Sequence, residues 1–129
     1  MALVRTSDRR RSGADAELRA AALLQAEGFK VLLRNFRCRA GELDIVAQRG
    51  QLLVIAEVRL RSNGDFGGAA ASITASKRSR IVRATRYLLQ RRPTLARLWV
   101  RFDILVLSES GGPIEWIDSA FDAGRSSAI

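Results

Sequence analysis

The chain has 129 residues, of which 47% are hydrophobic, so it is long and apolar enough for one compact domain and too apolar for a disordered segment. Its formal charge of +9 favours a polyanionic partner, nucleic acid or an anionic membrane, although solubility or an arginine-rich genome would also produce such a charge. The lack of histidine and the single cysteine, Cys38, exclude Ser-His and Cys-His nucleophiles and an internal disulfide, and argue against a zinc site.

The two ends of the chain are polar. Residues 1–12 carry four arginines and are predicted to form a flexible basic arm, and residues 122–129 a flexible tail. A single domain is therefore expected over residues 13–121. No stretch is apolar enough for a secretory signal or a membrane span, so a cytoplasmic protein that does not enter a membrane is expected.

Hydrophobic periodicity and turn residues predict two helices and five strands, with Gly28 just after the first helix and Thr74 as the N-cap of the second. In chain order the predicted elements are helix 14–27, strands 29–37, 42–48 and 51–61, a glycine-rich loop 62–71, helix 74–92, and strands 98–107 and 113–118. The order α-β-β-β-α-β-β predicts an α/β fold in which helices flank a mixed central sheet.

Three carboxylates are expected to approach one another. If Arg49-Gly50 forms the turn of a hairpin, Asp44 faces Ile55, and strand alternation puts Asp44 and Glu57 on one face as diagonal neighbours, roughly 7 Å apart. A bulge would make them direct neighbours. Glu17 lies on the apolar stripe of the first helix, where an unpaired glutamate is costly.

The carboxylates allow two interpretations. One is a site for a hard cation, Mg²⁺ or Mn²⁺, which would polarise a phosphodiester and activate water. The other is a set of structural ion pairs, in which Arg59 lies between Asp44 and Glu57 and Glu17 pairs with a nearby arginine. Asp103, an acid in an otherwise apolar strand, is interpreted as a structural partner.

The second helix is amphipathic. Its apolar residues share one side and its arginines the other, the two sets being Ile81, Val82, Ala84, Leu88 and Leu89, and Arg80, Arg83, Arg86 and Arg91. Such an arginine row binds phosphates without reading sequence. A solvated helix face or a membrane-surface helix is the alternative, and the lack of exposed aromatic residues argues against the membrane.

Two segments, RAGELDIV (39–46) and LVIAEVR (53–59), resemble the PD-(D/E)XK nuclease signature, with Asp44 as the first acid, Glu57 as the second and Arg59 in place of the lysine. Over residues 13 to about 107 the chain resembles the YraN-like family of small bacterial proteins. The segments that carry this resemblance are GADAE (13–17), EGF (27–29), RNFRCR (34–39), GELD (41–44), EVRLR (57–61), FGG (66–68), KRSR (77–80) and RFD (101–103).

The resemblance implies a restriction-endonuclease-like core, similar to archaeal Holliday-junction resolvases. It also implies that Glu17, Asp44 and Glu57 bind Mg or Mn, and that the protein is an endonuclease for branched or structured DNA. Nucleic-acid contacts are assigned to basic residues of the second helix and the third strand, namely Arg80, Arg83, Arg86 and Arg61. A homodimer would place two sites on the two strands of a junction.

Arginine at position 59 departs from the family pattern. It cannot accept a proton from water, but it can neutralise charge and clamp a phosphate. Lys77, at the start of the second helix, is the candidate to replace the missing lysine, or it is a solvated residue of the first turn. The alternatives to an active nuclease are a catalytically inactive DNA-binding module and an interaction subunit of a DNA-processing complex.

Overall fold

The computed structural model describes residues 4–62 and 72–123, with side chains described from residue 13 onwards. Residues 63–71 of the predicted loop (62–71) and residues 124–129 of the predicted tail (122–129) lie outside the described ranges. The elements in chain order are α1 (Val4–Ala26), β1 (Lys30–Cys38), β2 (Gly41–Arg49), β3 (Leu52–Arg61), α2 (Ala75–Arg91), a 3₁₀ turn (Leu95–Arg97), β4 (Trp99–Ser108) and β5 (Glu115–Phe121).

The five strands form one mixed sheet in the order β1-β2-β3-β4-β5. Neighbouring strands are antiparallel except β3 and β4, which run parallel and are connected through α2. A parallel pair requires such a crossover, because a tight hairpin reverses the chain direction. The predicted α-β-β-β-α-β-β order and the α/β class with a restriction-endonuclease-like core are confirmed.

Helix α1 begins at Val4, ten residues before the predicted start. Its first turns therefore include most of the segment predicted to be a flexible arm, because arginine is a good helix former and no proline interrupts the segment. The predicted end at Gly28 is confirmed. Gly28 has a φ of 90°, its amide donates to Gln25 O (3.0 Å), and the Phe29 amide donates to Leu24 O (2.9 Å). These bonds are those of a Schellman motif.

Helix α2 follows its prediction closely. The Thr74 hydroxyl accepts a hydrogen bond from the Lys77 amide at 3.1 Å, and the helix ends before Pro93 with Arg92 as C-cap. The predicted apolar side is buried, apart from the half-buried Leu89. None of the helices in the described ranges is both long and apolar enough to cross a membrane.

A hydrophobic cluster covers each face of the sheet. One packs under α1 and includes Leu24, Ile45 and Ala56. The other packs under α2 and includes Val46, Ile55 and Leu88. The central strands are buried or half-buried over most of their length, so a polar side chain within them needs hydrogen-bond partners.

Candidate active site

The β2–β3 ladder ends before the two strands do. Its last backbone pair is Ile45 with Ala56. Immediately beyond it, the Val58 amide donates to Asp44 Oδ2 at 2.9 Å, and the Asp44 amide donates to Glu57 Oε2 at 3.4 Å. Each carboxyl thus accepts a hydrogen bond from a backbone amide that has no ladder partner, because β2 and β3 separate at this point.

The pairing of β2 and β3 differs from the predicted register by two residues. The turn consists of Gly50 and Gln51, with Arg49 opposite Leu52, rather than Arg49-Gly50. Gly50 has a φ of 58° and occupies the first central position of a two-residue hairpin, where a type II′ turn favours glycine. The same register, extended by one pair, places Asp44 directly opposite Glu57 instead of diagonally.

Strand alternation is broken at Asp44. Leu43 and Val46 both belong to the α2-side cluster although they are three residues apart, whereas Ile45 faces α1. Opposite Asp44, between the pairs Arg34–Ile45 and Phe36–Leu43, Asn35 has a φ of 54°. This left-handed residue accompanies the break, so Asp44 lies in the gap between β2 and β3 rather than on a regular face.

Both carboxyls have raised pKa values. Burial is the main cause for Glu57, which is 2% exposed, and the adjacent Asp44 adds to it, so the pKa of Glu57 rises to about 8. Burial also raises the pKa of Asp44, with a smaller contribution from Glu17, while the Val58 amide and the Lys77 ammonium oppose the rise. Without a cation, the pair therefore holds a proton at neutral pH.

Glu17 lies near this pair but has another partner. Its carboxylate is 4.0 Å from Nη2 of Arg34, and its side chain is 20% exposed. The ion-pair interpretation of Glu17 thus has a geometric basis, while its effect on the pKa of Asp44 shows that it is within electrostatic reach. Arg59 is half-buried and follows Glu57 by two residues on β3.

The donor set fits a hard divalent cation through two carboxylates. Within residues 4–62 and 72–123 no group of three or more His, Cys, Asp or Glu side chains is close enough to hold a metal. The adjacent carboxyls of Asp44 and Glu57 suffice for Mg²⁺, which is commonly bound by one or two carboxylates and keeps several waters. Glu17 stays a predicted ligand.

A basic cleft of about 480 Å³ adjoins the carboxyl pair, and its lining includes Arg37, Glu42, Lys77 and Arg80. Lys77 lowers the pKa of both Asp44 and Glu57, so its ammonium is within electrostatic reach of both. At the base of the cleft, a Cβ on Gly41 would lie 3.3 Å from Arg80 O, so glycine allows β2 to approach α2. The cleft can accept a phosphate beside the two acids.

The other predicted nucleic-acid residues lie elsewhere. Arg83 and Arg86 line a second cleft on the other flank of α2, so the predicted arginine row is divided between two clefts. Arg61 pairs with Glu115 (Nη2 to Oε1, 2.9 Å).

Asp103 is a structural residue, as predicted. Its fully buried carboxylate accepts two hydrogen bonds from Arg101 (2.9 and 2.8 Å), one from Trp116 Nε1 (2.8 Å) and one from the Ser119 amide (3.1 Å). These bonds hold β5 where the β4–β5 register shifts.

Sequence reasoning missed Asn35 and Arg37. Both lie in the segment RNFRCR (34–39), and a further signal for Asn35 was asparagine in the middle of a strand, where it is disfavoured. Arg37 lies in the same segment, but nothing in the sequence indicated its place in the cleft, because that depends on how the β1–β2 hairpin packs on α2.

The architecture is that of a restriction-endonuclease-like α/β domain in which Asp44 and the buried Glu57 form a carboxyl pair where the central strands part. The chain belongs to the uncharacterised protein family UPF0102, whose model matches residues 16–107.

Curated relatives in this family match nearly the whole chain. A UPF0102 protein of Dechloromonas aromatica is 48% identical over 111 residues, which cover 86% of this chain and 88% of the relative. A UPF0102 protein of Methylobacillus flagellatus is 45% identical over 112 residues, 86% of this chain and 96% of the relative. A UPF0102 protein of Nitrosomonas eutropha is 43% identical over 118 residues, which cover 92% of this chain and 99% of the relative.

Proposed function

We propose that this protein is a nuclease-like nucleic-acid-binding protein, a Mg²⁺- or Mn²⁺-dependent endonuclease that acts on branched or structured DNA in the cytoplasm. The observation that carries the proposal is the juxtaposition of Asp44 and Glu57 in the gap between β2 and β3, beside a cleft lined by Arg37, Lys77 and Arg80. Acids that hold a hard cation next to bases that hold a phosphate are the two parts that phosphodiester hydrolysis requires.

The residues of the site have distinct roles in this proposal. Asp44 and Glu57 would hold the cation, and their hydrogen bonds to backbone amides fix their positions before it binds. When bound, the cation supplies Lewis-acid polarisation of the phosphodiester and lowers the pKa of a water molecule. Arg37 and Arg80 bind phosphate oxygens of the substrate. Lys77 favours the ionised carboxyls, because its charge lowers their pKa values.

Arg59 supports a second candidate function, that of a catalytically inactive DNA-binding module. An arginine guanidinium stays protonated in proteins, so it does not accept a proton from water and does not serve as a general base. It does neutralise developing negative charge and bind phosphate. In this candidate the protein binds DNA without cutting it, alone or as an interaction subunit of a DNA-processing complex.

The test is cleavage of four labelled DNA substrates, namely a four-way junction, a flap, a single strand and a duplex, with Mn²⁺ or Mg²⁺. Wild type, Asp44→Asn and Arg59→Lys are compared with Asp118→Asn, which removes the same charge at an exposed position on β5. We expect metal-dependent cleavage by wild type and Asp118→Asn, and its loss in Asp44→Asn. Cleavage by Arg59→Lys alone would mean a scaffold silenced at one residue. Binding without cleavage by any of the four would support the inactive module.

A further inference from the structure

The bases of α2 line two separate clefts. Lys77 and Arg80 line the cleft beside the carboxyl pair, whereas Arg78, Arg83 and Arg86 line a groove of about 550 Å³ between α2 and the end of β5. We propose that this groove, called the α2–β5 groove below, is a second nucleic-acid site that binds a single strand away from the carboxyl pair.

The charge of the α2–β5 groove is unbalanced. Arg78, Arg83 and Arg86 make no ion pair with any residue in the described part of the chain. Asp122 is the one acid among the described residues that line the groove. Arg78 and Arg86 are eight residues apart, which corresponds to about 12 Å of helix at 1.5 Å per residue. That length covers several successive phosphates of one strand.

An aromatic ring forms the other wall of the groove. Phe121 stacks on the buried Phe102 with ring centroids 4.9 Å apart and an angle of 16° between the rings. Because one face of Phe121 is fixed against the core and its side chain still lines the groove, the ring is held in place at no further entropic cost. An unpaired base can stack on such a platform, whereas a paired base is already stacked within its duplex.

The combination of arginines and one aromatic ring selects among polyanions. A membrane surface requires several exposed apolar anchors. The large hydrophobic side chains that are exposed among the described residues are Leu18 and Trp99, and neither lines this groove. An acidic peptide would satisfy the arginines but would leave the part of the Phe121 ring that lines the groove uncovered. A basic groove with a stacking platform is the arrangement by which proteins hold single-stranded nucleic acid.

The inference is tested by fluorescence anisotropy of a 5′-labelled (dT)₁₂ oligonucleotide with the full chain in EDTA, as a function of salt. The triple variant Arg78→Gln/Arg83→Gln/Arg86→Gln should lower the slope of log K against log salt by about 2, at roughly 0.7 per phosphate contact. Phe121→Leu keeps an apolar side chain on Phe102. It should weaken binding at fixed salt by about fivefold or more, with an unchanged slope, because stacking releases no counterions.

The matched control is Lys30→Gln/Arg92→Gln/Arg97→Gln, which removes the same charge from exposed positions outside the groove. A similar loss of slope in this control would overturn the proposal, because the effect would then reflect net charge. Competition by a polyglutamate of equal charge as effective as that of unlabelled (dT)₁₂ would also overturn it. Thermal denaturation of each variant identifies any loss of folding. If Phe121→Leu does not fold, a second substitution at the same position, Phe121→Met, replaces it.

The measurement is independent of the proposed endonuclease activity, since EDTA removes the divalent cation. Groove-dependent binding without cleavage under any condition would refute the endonuclease and retain the second site. DNA cleavage by the protein, together with unchanged oligonucleotide binding by the groove variants, would support the endonuclease and refute the second site.

Discussion

Asp44 and Glu57 meet where β2 and β3 part, and the carboxyl of each accepts a hydrogen bond from a backbone amide of the opposite strand. In a regular antiparallel ladder those amides would bond to carbonyl groups. The site therefore uses donors released by the end of the ladder to hold two acids that would otherwise repel each other. Because the two acids lie side by side, their ionisation depends strongly on pH and on whether a cation is bound.

The stability of the cation-free protein should fall as the pH rises from about 5 to 8. The pKa of Glu57 is 4.5 ordinarily and about 8 in the folded chain, so within this window the folded state keeps a proton that the unfolded state has lost. The free energy of unfolding then decreases with a slope approaching 1.4 kcal/mol per pH unit. The chain has no histidine that would mask this slope.

Urea denaturation in EDTA at several pH values measures this effect. Glu57→Gln should flatten the pH dependence, because the amide does not titrate, whereas Glu109→Gln, at an exposed position, should leave it unchanged. A wild-type profile that rises from pH 5 to 8, or one that matches Glu57→Gln, would contradict a raised pKa for Glu57.

Binding of Mn²⁺ should release protons and strengthen with pH. Carboxyls must be ionised to bind a cation, and both pKa values are raised, so we expect about one proton released per ion near pH 7. Asp44→Asn should weaken binding at least about tenfold, because the loss of even an outer-shell partner of a metal ligand commonly weakens binding by about that factor. Glu17→Gln should weaken it less, because Glu17 is also close to Arg34.

Calorimetry in two buffers of different ionisation enthalpy measures the affinity and the proton release together. Asp118→Asn is the control for charge, and it should bind Mn²⁺ as wild type does. An effect of Glu17→Gln as large as that of Asp44→Asn would instead make Glu17 a direct ligand.

Asp103 and Glu115 should differ sharply in their contributions to stability, although each is paired with an arginine. Asp103 is fully buried and accepts four hydrogen bonds, so Asp103→Asn should cost about 3–5 kcal/mol by leaving Arg101 unpaired. Glu115 pairs with Arg61 at a partly exposed site, so Glu115→Gln should cost about 1 kcal/mol or less. Chemical denaturation at pH 7 compares the two, and equal costs would contradict the burial argument.

Local rules predicted most of the fold from the sequence. Glycine after α1, threonine before α2 and the apolar periodicity of α2 each act within a few residues, so their outcomes are visible in the sequence. The predicted start of α1 at residue 14 is wrong, because a charged segment is not necessarily flexible and arginine favours a helix.

The approach of Asp44 and Glu57 could be predicted from the sequence, but their geometry could not. Same-face alternation and a bulge were the available ways to bring Asp44 and Glu57 together, and the structure does so by a two-residue change of register. That change depends on the conformation of Gly50, and the break at Asp44 accompanies a left-handed Asn35 across the strand pair. Neither is specified by hydrophobic pattern. The division of the α2 arginines depends on how β1–β2 and β5 pack beside the helix.

Lys77→Met should move the pH dependence of Mn²⁺ binding to higher pH. The ammonium of Lys77 lowers the pKa of both Asp44 and Glu57, so its removal makes each carboxyl harder to ionise and delays cation binding as the pH rises. Arg80→Met removes the same charge from the same cleft, but Arg80 is not among the groups that shift either pKa, so its profile should coincide with that of wild type. Calorimetric titrations of the three proteins between pH 5.5 and 8.5 give the comparison. Equal shifts in both variants would assign the effect to the charge of the cleft as a whole, and no shift in either would place Lys77 too far away to act on the carboxyl pair.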